Sequence, residues 1–365
     1  MEEFARFALF QSLLVLLGFL HVPLMNDPLV LGRGGRGTAL MDSLVFTVRV
    51  FAPLSVSGSL VLSMMGVAGP VESILLLAPS VMLACLCWSA RSALHGDGNH
   101  RAACLVSTTG MLTSLLVFAG LLFAGIQPVR AAFMAIAGSS LLALLVATRF
   151  DIENSIRRGS VDEGADAALP GLAAAGLVWV SGNVTVLFLA WLGRLEDIAG
   201  LRAVLTLLLP LNQLLIGLSA FLMPRFAYLH GSGQFSLIQR FLLRLSLGCS
   251  GMALLFVLCV YPLAGQLLGR IYGTGYVAYE GPMRLGATVL PLCWGLITLR
   301  RTLLRSSGRL PDLLRINAAG LLVGIPLSLV VLLSSNENAV MGSFVVVQIA
   351  MLCAYLLLGR ERKVI

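Results

Sequence analysis

Arginine and amide side chains set deep in apolar runs are where this chain has the means to do chemistry. Arg49 stands seven residues after Asp42, two helical turns on and therefore on the same face. A guanidinium keeps its charge and offers forked donors that match phosphate oxygens, so Arg49 reads as an anion-binding cation with Asp42 as its partner. An arginine snorkelling to a membrane interface is the plainer account of the same residue. Arg244 is its counterpart in a later helix, set against ordinary loop charge. Asn183 lies midway along the run that begins Trp179-Val180-Ser181-Gly182-Asn183, and an amide at that depth seeks either a neighbouring helix or a polar ligand. Asn212, Gln213 and Gln11 share this character, and the Trp179 ring offers a face for stacking or for apolar packing. Catalysis finds little to use. His21, His95, His100 and His230 stand beside no Cys, Ser or acid cluster, so the chain reads as a non-enzyme that needs no cofactor. The seven cysteines all sit inside apolar runs as small hydrophobes, and Cys85-x-Cys87 has the wrong spacing for zinc.

Such residues need a bilayer to hold them. Of the 365 residues, 58 % are hydrophobic and 12 % charged, with a mean hydropathy of +0.95. A soluble domain carries about twice that charge, so a soluble enzyme, a disulfide scaffold and a disordered tail are excluded. The net charge of +8 comes from arginine, with Lys363 the single lysine. No basic run with interleaved aromatics stands on a soluble module, which argues against nucleic acid as a partner. Membrane orientation accounts for the arginines instead. Eleven spans are expected: Phe7–Leu24, Val50–Val67 (its helix starting earlier, near Ala39), Ile74–Ala90, Ala103–Gly125, Ala131–Thr148, Leu169–Leu192, Ala203–Met223, Leu245–Leu268, Gly281–Leu299, Ile316–Leu333 and Ala339–Leu358. They are continuously apolar, unlike the alternating strands of a barrel. Counted over alternate connections, eighteen basic residues fall on one side and six on the other, which predicts a cytoplasmic C-terminus and an N-terminus outside.

The longest polar interruption, Arg149–Ala168, separates five spans from six. It divides the chain into an N-terminal membrane lobe (1–148), a cytoplasmic linker (149–168), a C-terminal lobe (169–358) and a short tail (359–365). Parallel repeats require both halves to enter the membrane in the same sense, which predicts one further helix before Phe7. Val15-Leu16-Leu17-Gly18 and Leu214-Leu215-Ile216-Gly217 form a weak internal match, each followed by a helix with an early arginine, Arg49 and Arg244. Two basic stretches read as surfaces that brush anionic headgroups. One is the Gly-rich segment 31–37, which lacks the Gly-Lys-Ser/Thr ending of a phosphate loop; the other is the cluster Arg300–Arg309.

Three segments carry a family resemblance. Leu201–Ala227 (LRAVLTLLLPLNQLLIGLSAFLMPRFA) resembles the eighth helix of bacterial polysaccharide-export proteins, the oligosaccharidyl-lipid flippases of the multidrug/oligosaccharidyl-lipid/polysaccharide (MOP) exporter superfamily. The opening Phe4–Leu13 is similar to their second helix, and Ile271-Tyr272-Gly273-Thr274-Gly275-Tyr276 precedes a later span as theirs does. The resemblance implies an all-α, MATE-like bundle in two lobes around a cavity, here five helices plus six, with the first of the family's twelve absent. It implies transport of a polyprenyl-pyrophosphate-linked oligosaccharide across a bacterial inner membrane by alternating access. The partners would be that lipid-linked substrate, membrane lipids, and a polysaccharide polymerase or glycosyltransferases. Arg49, Arg244, Asn183, Asn212, Gln213, Gln11, Trp179 and Asp42 would then line the cavity. Two alternatives stay open. An ion-coupled multidrug exporter of the same superfamily would need intramembrane carboxylates, where only Asp42 and Glu72 come close. A truncated, non-transporting partner of a polysaccharide assembly complex would fit the missing helix.

Overall fold

The computed structural model describes residues 11–12, 14–18, 20, 40–64, 76, 78–96, 99–151, 165–334 and 338–359. After a helical stretch at 14–18, the helices in chain order are α1 (Leu40–Met64), α2 (Ala78–Gly96), α3 (His100–Phe123), α4 (Pro128–Asp151), α5 (Ala165–Trp191), α6 (Leu195–Gly231), α7 (Phe235–Val260), α8 (Ala264–Tyr272), α9 (Glu280–Ser306), α10 (Leu310–Leu332) and α11 (Ala339–Leu358), with a 3-10 segment at Thr274–Tyr279. No strand occurs among the described residues. Eight helical segments, from α3 onward, are long and apolar enough to cross a membrane. The all-α polytopic bundle is what continuous apolar runs demand, because in hydrocarbon the backbone is satisfied either within a helix or in a closed barrel, and barrel strands would alternate apolar and polar residues.

The chain falls into two compact units, one ending at Ala175 and the other running from Gly176 to the C-terminus. The first is built on small side chains. Ala90, Ala93, Ala102, Ala103, Ala143 and Ala147 join Leu94 and Val106 in one buried cluster that brings α2, α3 and α4 together. Methyl-sized contacts let helix backbones approach closely, as membrane packing requires. Hydroxyls bridge the helices: Thr47 meets Ser89 at 2.5 Å between α1 and α2, and Ser80 donates to the Phe133 carbonyl at 3.1 Å between α2 and α4. Gly18 accommodates the Trp88 ring, which a Cβ there would meet at 3.1 Å.

The second unit packs larger residues. Leu211, Leu215, Leu222 and Phe226 of α6 bury against Ile238, Leu242 and Cys249 of α7 and Leu299 and Leu303 of α9. Between α10 and α11 the spacing Gly320-x-x-x-Gly324 permits a close approach: a Cβ on Gly320 would meet Met351 Sδ at 2.6 Å, and one on Gly324 would meet Val347 Cα at 3.3 Å. This small-xxx-small pattern is a membrane helix-packing signal.

The helix expected to start near Ala39 is described from Leu40, in agreement. Other boundaries differ from the sequence expectation. α6 runs 37 residues against the 21 expected, about 55 Å at 1.5 Å per residue, which exceeds the ~30 Å hydrocarbon core. The span expected at Leu245–Leu268 is corrected. Its helix begins ten residues earlier, at Phe235, and stops at Val260; after a turn through Tyr261-Pro262-Leu263, α8 follows as a separate nine-residue helix. Pro262 has no N–H to continue the ladder. Gln239, Arg240 and Arg244 depress hydropathy without breaking a helix, since arginine and glutamine are good helix formers. The linker segment 152–164, the acidic N-terminus and the basic tail 360–365 lie outside the described residues.

Candidate functional site

A helical hairpin builds the site. α5 ends in a Schellman motif: Gly193 N–H donates to the Ala190 carbonyl at 3.1 Å and Arg194 N–H to the Leu189 carbonyl at 2.9 Å. Gly193 sits at φ +70°, a left-handed conformation that costs any residue with a Cβ. Arg194 then pairs with Asp197 at 2.5 Å in the first turn of α6, where a carboxylate also answers the helix dipole. The chain reverses in three residues, and α6 runs back along α5.

That reversal places positions at nearly equal distance from Gly193 side by side. Asn183, ten residues before it, meets Arg202, nine residues after it. The Arg202 guanidinium donates from Nη2 to Asn183 Oδ1 at 2.7 Å. The other end of the amide is held too, as Nδ2 donates to the Trp179 carbonyl one turn back at 2.9 Å. Asn183 is 4 % exposed, and Arg202 Nε is sealed from solvent. Arg202 is the eighth residue of the 37-residue α6, and a guanidinium turned toward buried side chains is costly unless it finds an acceptor, which the amide oxygen supplies. The opposite face of α5 is polar as well. Gln348 of α11 donates to the Ser181 carbonyl at 3.0 Å, Thr185 meets Ser343 of α11 at 2.9 Å, and Ser343 meets Ser328 of α10 at 3.0 Å. Ser181 and Thr185 are four apart and share one face; Asn183, between them, points the other way.

A second polar group adjoins the same stretch of α6. Thr206, one turn beyond Arg202, donates to the Arg202 carbonyl at 2.7 Å and hydrogen-bonds the Tyr272 phenol of α8. Burial pushes the Tyr272 phenol above its ordinary range, with the Thr206 hydrogen bond pulling back. Tyr272, Tyr276 and Tyr279 form a chain of rings with centroids 5.4 and 6.4 Å apart, and the Tyr279 hydroxyl donates to the Glu196 carbonyl at 3.1 Å. Tyr279 lies flat against α6 at Gly200, where only a hydrogen in place of Cβ leaves room. Gly273, at φ +99°, turns the chain between Tyr272 and Tyr276.

The expected site residues divide. Asn183 and Trp179 come together with Arg202. Asn212 is half-buried and Gln213 exposed, two turns or more further along α6. Arg244 lies on the exposed side of α7, opposite the stripe of Ile238, Leu242 and Cys249. In the first unit, Arg49 is exposed on α1 while Thr47, Phe51 and Ser55 form that helix's buried stripe. Gln11 is half-buried. Asp42 lies in the first turn of α1, and its side chain is outside the described residues. The internal match does not extend to packing: Leu17 is buried while its counterpart Ile216 is exposed, and Gly217 has no neighbour where Gly18 faces Trp88. Sequence reasoning missed Arg202, which it set outside the membrane by starting the span at Ala203. Gly193 was the available signal. Nearly equal spacing from that helix-ending glycine, ten residues before and nine after, pairs Asn183 with Arg202.

Chemically, this arrangement is a fixed cation oriented by an amide, flanked by hydroxyls and phenols. It can bind an anion or a polyol. Among the described residues, no three His, Cys, Asp or Glu side chains gather to hold a metal ion.

No family model matches the chain, and no curated relative does. Solved structures do. A MOP superfamily transporter from Pyrococcus furiosus superposes with a TM-score of 0.73 at 14 % identity, over 98 % of this chain and 87 % of that one. A MATE transporter from Vibrio cholerae gives 0.71 at 15 % identity, over 96 % and 85 %. A multidrug resistance MATE family transporter in an inward-facing conformation gives 0.69 at 14 % identity, over 99 % and 90 %. At these identities the likeness concerns the fold, and it spans nearly the whole chain. The protein has the MATE/MOP transporter fold and is a multi-pass membrane protein.

Proposed function

We propose that this chain is an alternating-access transporter that carries a polyprenyl-pyrophosphate-linked oligosaccharide across a bacterial inner membrane. The observation that carries this reading is the Arg202–Asn183 pair. A permanent positive charge held inside an apolar bundle suits a cargo whose pyrophosphate must cross about 30 Å of hydrocarbon. The guanidinium supplies forked donors for phosphate oxygens, and the tyrosines and Trp179 supply amphipathic faces for sugars. Arg49 and Arg244, exposed on their own helices, are the further cations such a cargo would meet. The fold supports the transport cycle, since proteins of this architecture have been solved in outward-facing and inward-facing conformations. Lipid-linked glycan supply and consumption would make glycosyltransferases and a polymerase its natural partners.

Multidrug export is a second reading, favoured by the described role of two structural neighbours. The two separate in one experiment. Purified protein in vesicles is offered a fluorescent polyprenyl-pyrophosphate oligosaccharide or a cationic dye under a proton or sodium gradient. Translocation of the glycan lipid that is lost in Arg202→Gln supports the flippase. Gradient-driven dye uptake with no glycan movement would replace it with the exporter.

A further inference from the structure

The connection between α7 and α9 is a strap with a fixed base and a lightly held tip. At the base, Glu280 pairs with Arg284 at 2.5 Å, and the Arg284 guanidinium lies 5.2 Å from the centre of the Tyr261 ring. The same carboxylate rests on Gly265, where a Cβ would meet Glu280 Oε2 at 2.6 Å. Both ends of the strap are thereby tied together, and Ala264 and Leu268 beside them are fully buried. From this base α8 runs out to Tyr272, Gly273 turns the chain at φ +99°, and the 3-10 segment brings it back to α9. The two limbs form one hairpin, since a Cβ on Gly269 would meet Val277 Cγ2 at 3.2 Å. Around the turn, Ile271, Thr274, Gly275 and Val277 are exposed.

The strap meets α6 through uncharged contacts. Tyr272 hydrogen-bonds Thr206, Tyr279 lies against Gly200, and the ring of Tyr276 stands between theirs, 5.4 and 6.4 Å away. Gly200 and Thr206 are six residues apart, about 9 Å of helical rise, a span that the two ring-to-ring steps cover. Ala203 is three residues from each, the spacing of helical neighbours, and it is fully buried. Arg202 adjoins it in sequence and stands one turn before Thr206, on the same face. The tyrosine stack therefore lies along α6 at the level of Arg202. Neutral hydrogen bonds and ring contacts are individually small, and a segment with a buried base and an exposed tip opens at the tip first.

We propose that the strap tip, Tyr272 to Tyr276, is a lid on α6: it swings on the Glu280–Arg284–Tyr261 base, uncovers Ala203 and the neighbouring Arg202 to an anionic cargo, and closes by re-forming the Tyr272–Thr206 hydrogen bond. The part it plays in transport rests on Arg202 being the anion site. The opening itself does not.

Thiol accessibility tests the lid in the full chain, purified in detergent with its seven cysteines replaced by alanine and Ala203→Cys added. Reaction of that thiol with a small charged methanethiosulfonate is expected to be slow while the clasp is intact. Tyr272→Phe, nearly isosteric, should speed it about fivefold, the scale of one neutral hydrogen bond. Gly200→Ala puts a Cβ into the Tyr279 ring and should speed it about tenfold. The control is Leu222→Cys, set in the core of α6, α7 and α9 and 1 % exposed, whose reactivity should stay the same in both variants. Should Gly200→Ala not fold, Tyr272→Phe carries the comparison alone. Unchanged reactivity at Ala203→Cys overturns the lid, and so does an equal rise at Leu222→Cys, which would mean a general loosening of the unit. The measurement uses no cargo. If clasp variants speed labelling while Arg202→Gln still moves glycan lipid, the lid stands and the reading of Arg202 as the anion site falls.

Discussion

Two helices of this protein each carry an arginine inside an apolar run, and the structure treats them in opposite ways. On α1, Arg49 is exposed while Thr47, Phe51 and Ser55 turn inward. On α6, Arg202 is turned onto Asn183 of the preceding helix and its Nε is sealed from solvent. Hydropathy ranked them the other way round, with Arg49 inside a helix and Arg202 just outside a span. The difference shows that depth along a helix and burial within a bundle are separate variables. Helix length and periodicity set the first; the second depends on which neighbour a turn brings alongside.

The contrast can be broken most sharply at Arg202. Replacing it with alanine leaves the Asn183 oxygen buried without this donor, and is expected to cost about 2–3 kcal/mol and to abolish glycan-lipid translocation. Thermal unfolding in detergent beside the vesicle assay measures both, and an unchanged melting temperature would mean the pair is incidental. Gly193→Ala comes next, because an alanine held at a left-handed φ costs about 1–2 kcal/mol. If that turn sets the register, the same substitution should also weaken the contact between Asn183 and Arg202, visible as faster amide hydrogen exchange at the α5–α6 ends. Asn183→Asp sharpens the comparison without dismantling it. The carboxylate keeps an acceptor against Arg202 but cancels its charge, so stability should hold within about 1 kcal/mol while translocation falls at least tenfold. Undiminished translocation would assign Arg202 a packing role only. The smallest effect on stability is expected at Arg49, where truncation of an exposed side chain should stay within about 0.5 kcal/mol. If Arg49 meets cargo, translocation still falls several-fold; if it serves only the interface, both readings stay flat.

Much of the fold was legible because the bilayer simplifies the problem. Continuous apolar runs read as helices, and Ala339–Leu358 coincides with its expected limits while Leu310–Leu332 starts six residues before the expected Ile316 and ends one before Leu333. Errors arose where hydropathy and helicity part company. Gln239, Arg240 and Arg244 belong to α7 although they are polar, and Pro262 ends it although its surroundings are apolar. Of the site, Asn183 was legible as an amide in need of a partner. The partner was not, because a span drawn from hydropathy stops at a charge, whereas a helix stopped by Gly193 and restarted at Leu195 carries that charge inward.

The composition of this chain determined that it belongs in a membrane, and its continuous apolar runs that it spans as helices, because barrel strands would alternate apolar and polar residues. Its punctuation, the glycines and prolines, held the hairpins in outline. Only the tertiary structure decided which arginines are turned into the bundle. A guanidinium in apolar surroundings is tolerated where an acceptor stands within hydrogen-bond reach, and for Arg202 that acceptor is brought into place by packing α6 against α5 nineteen residues away along the chain.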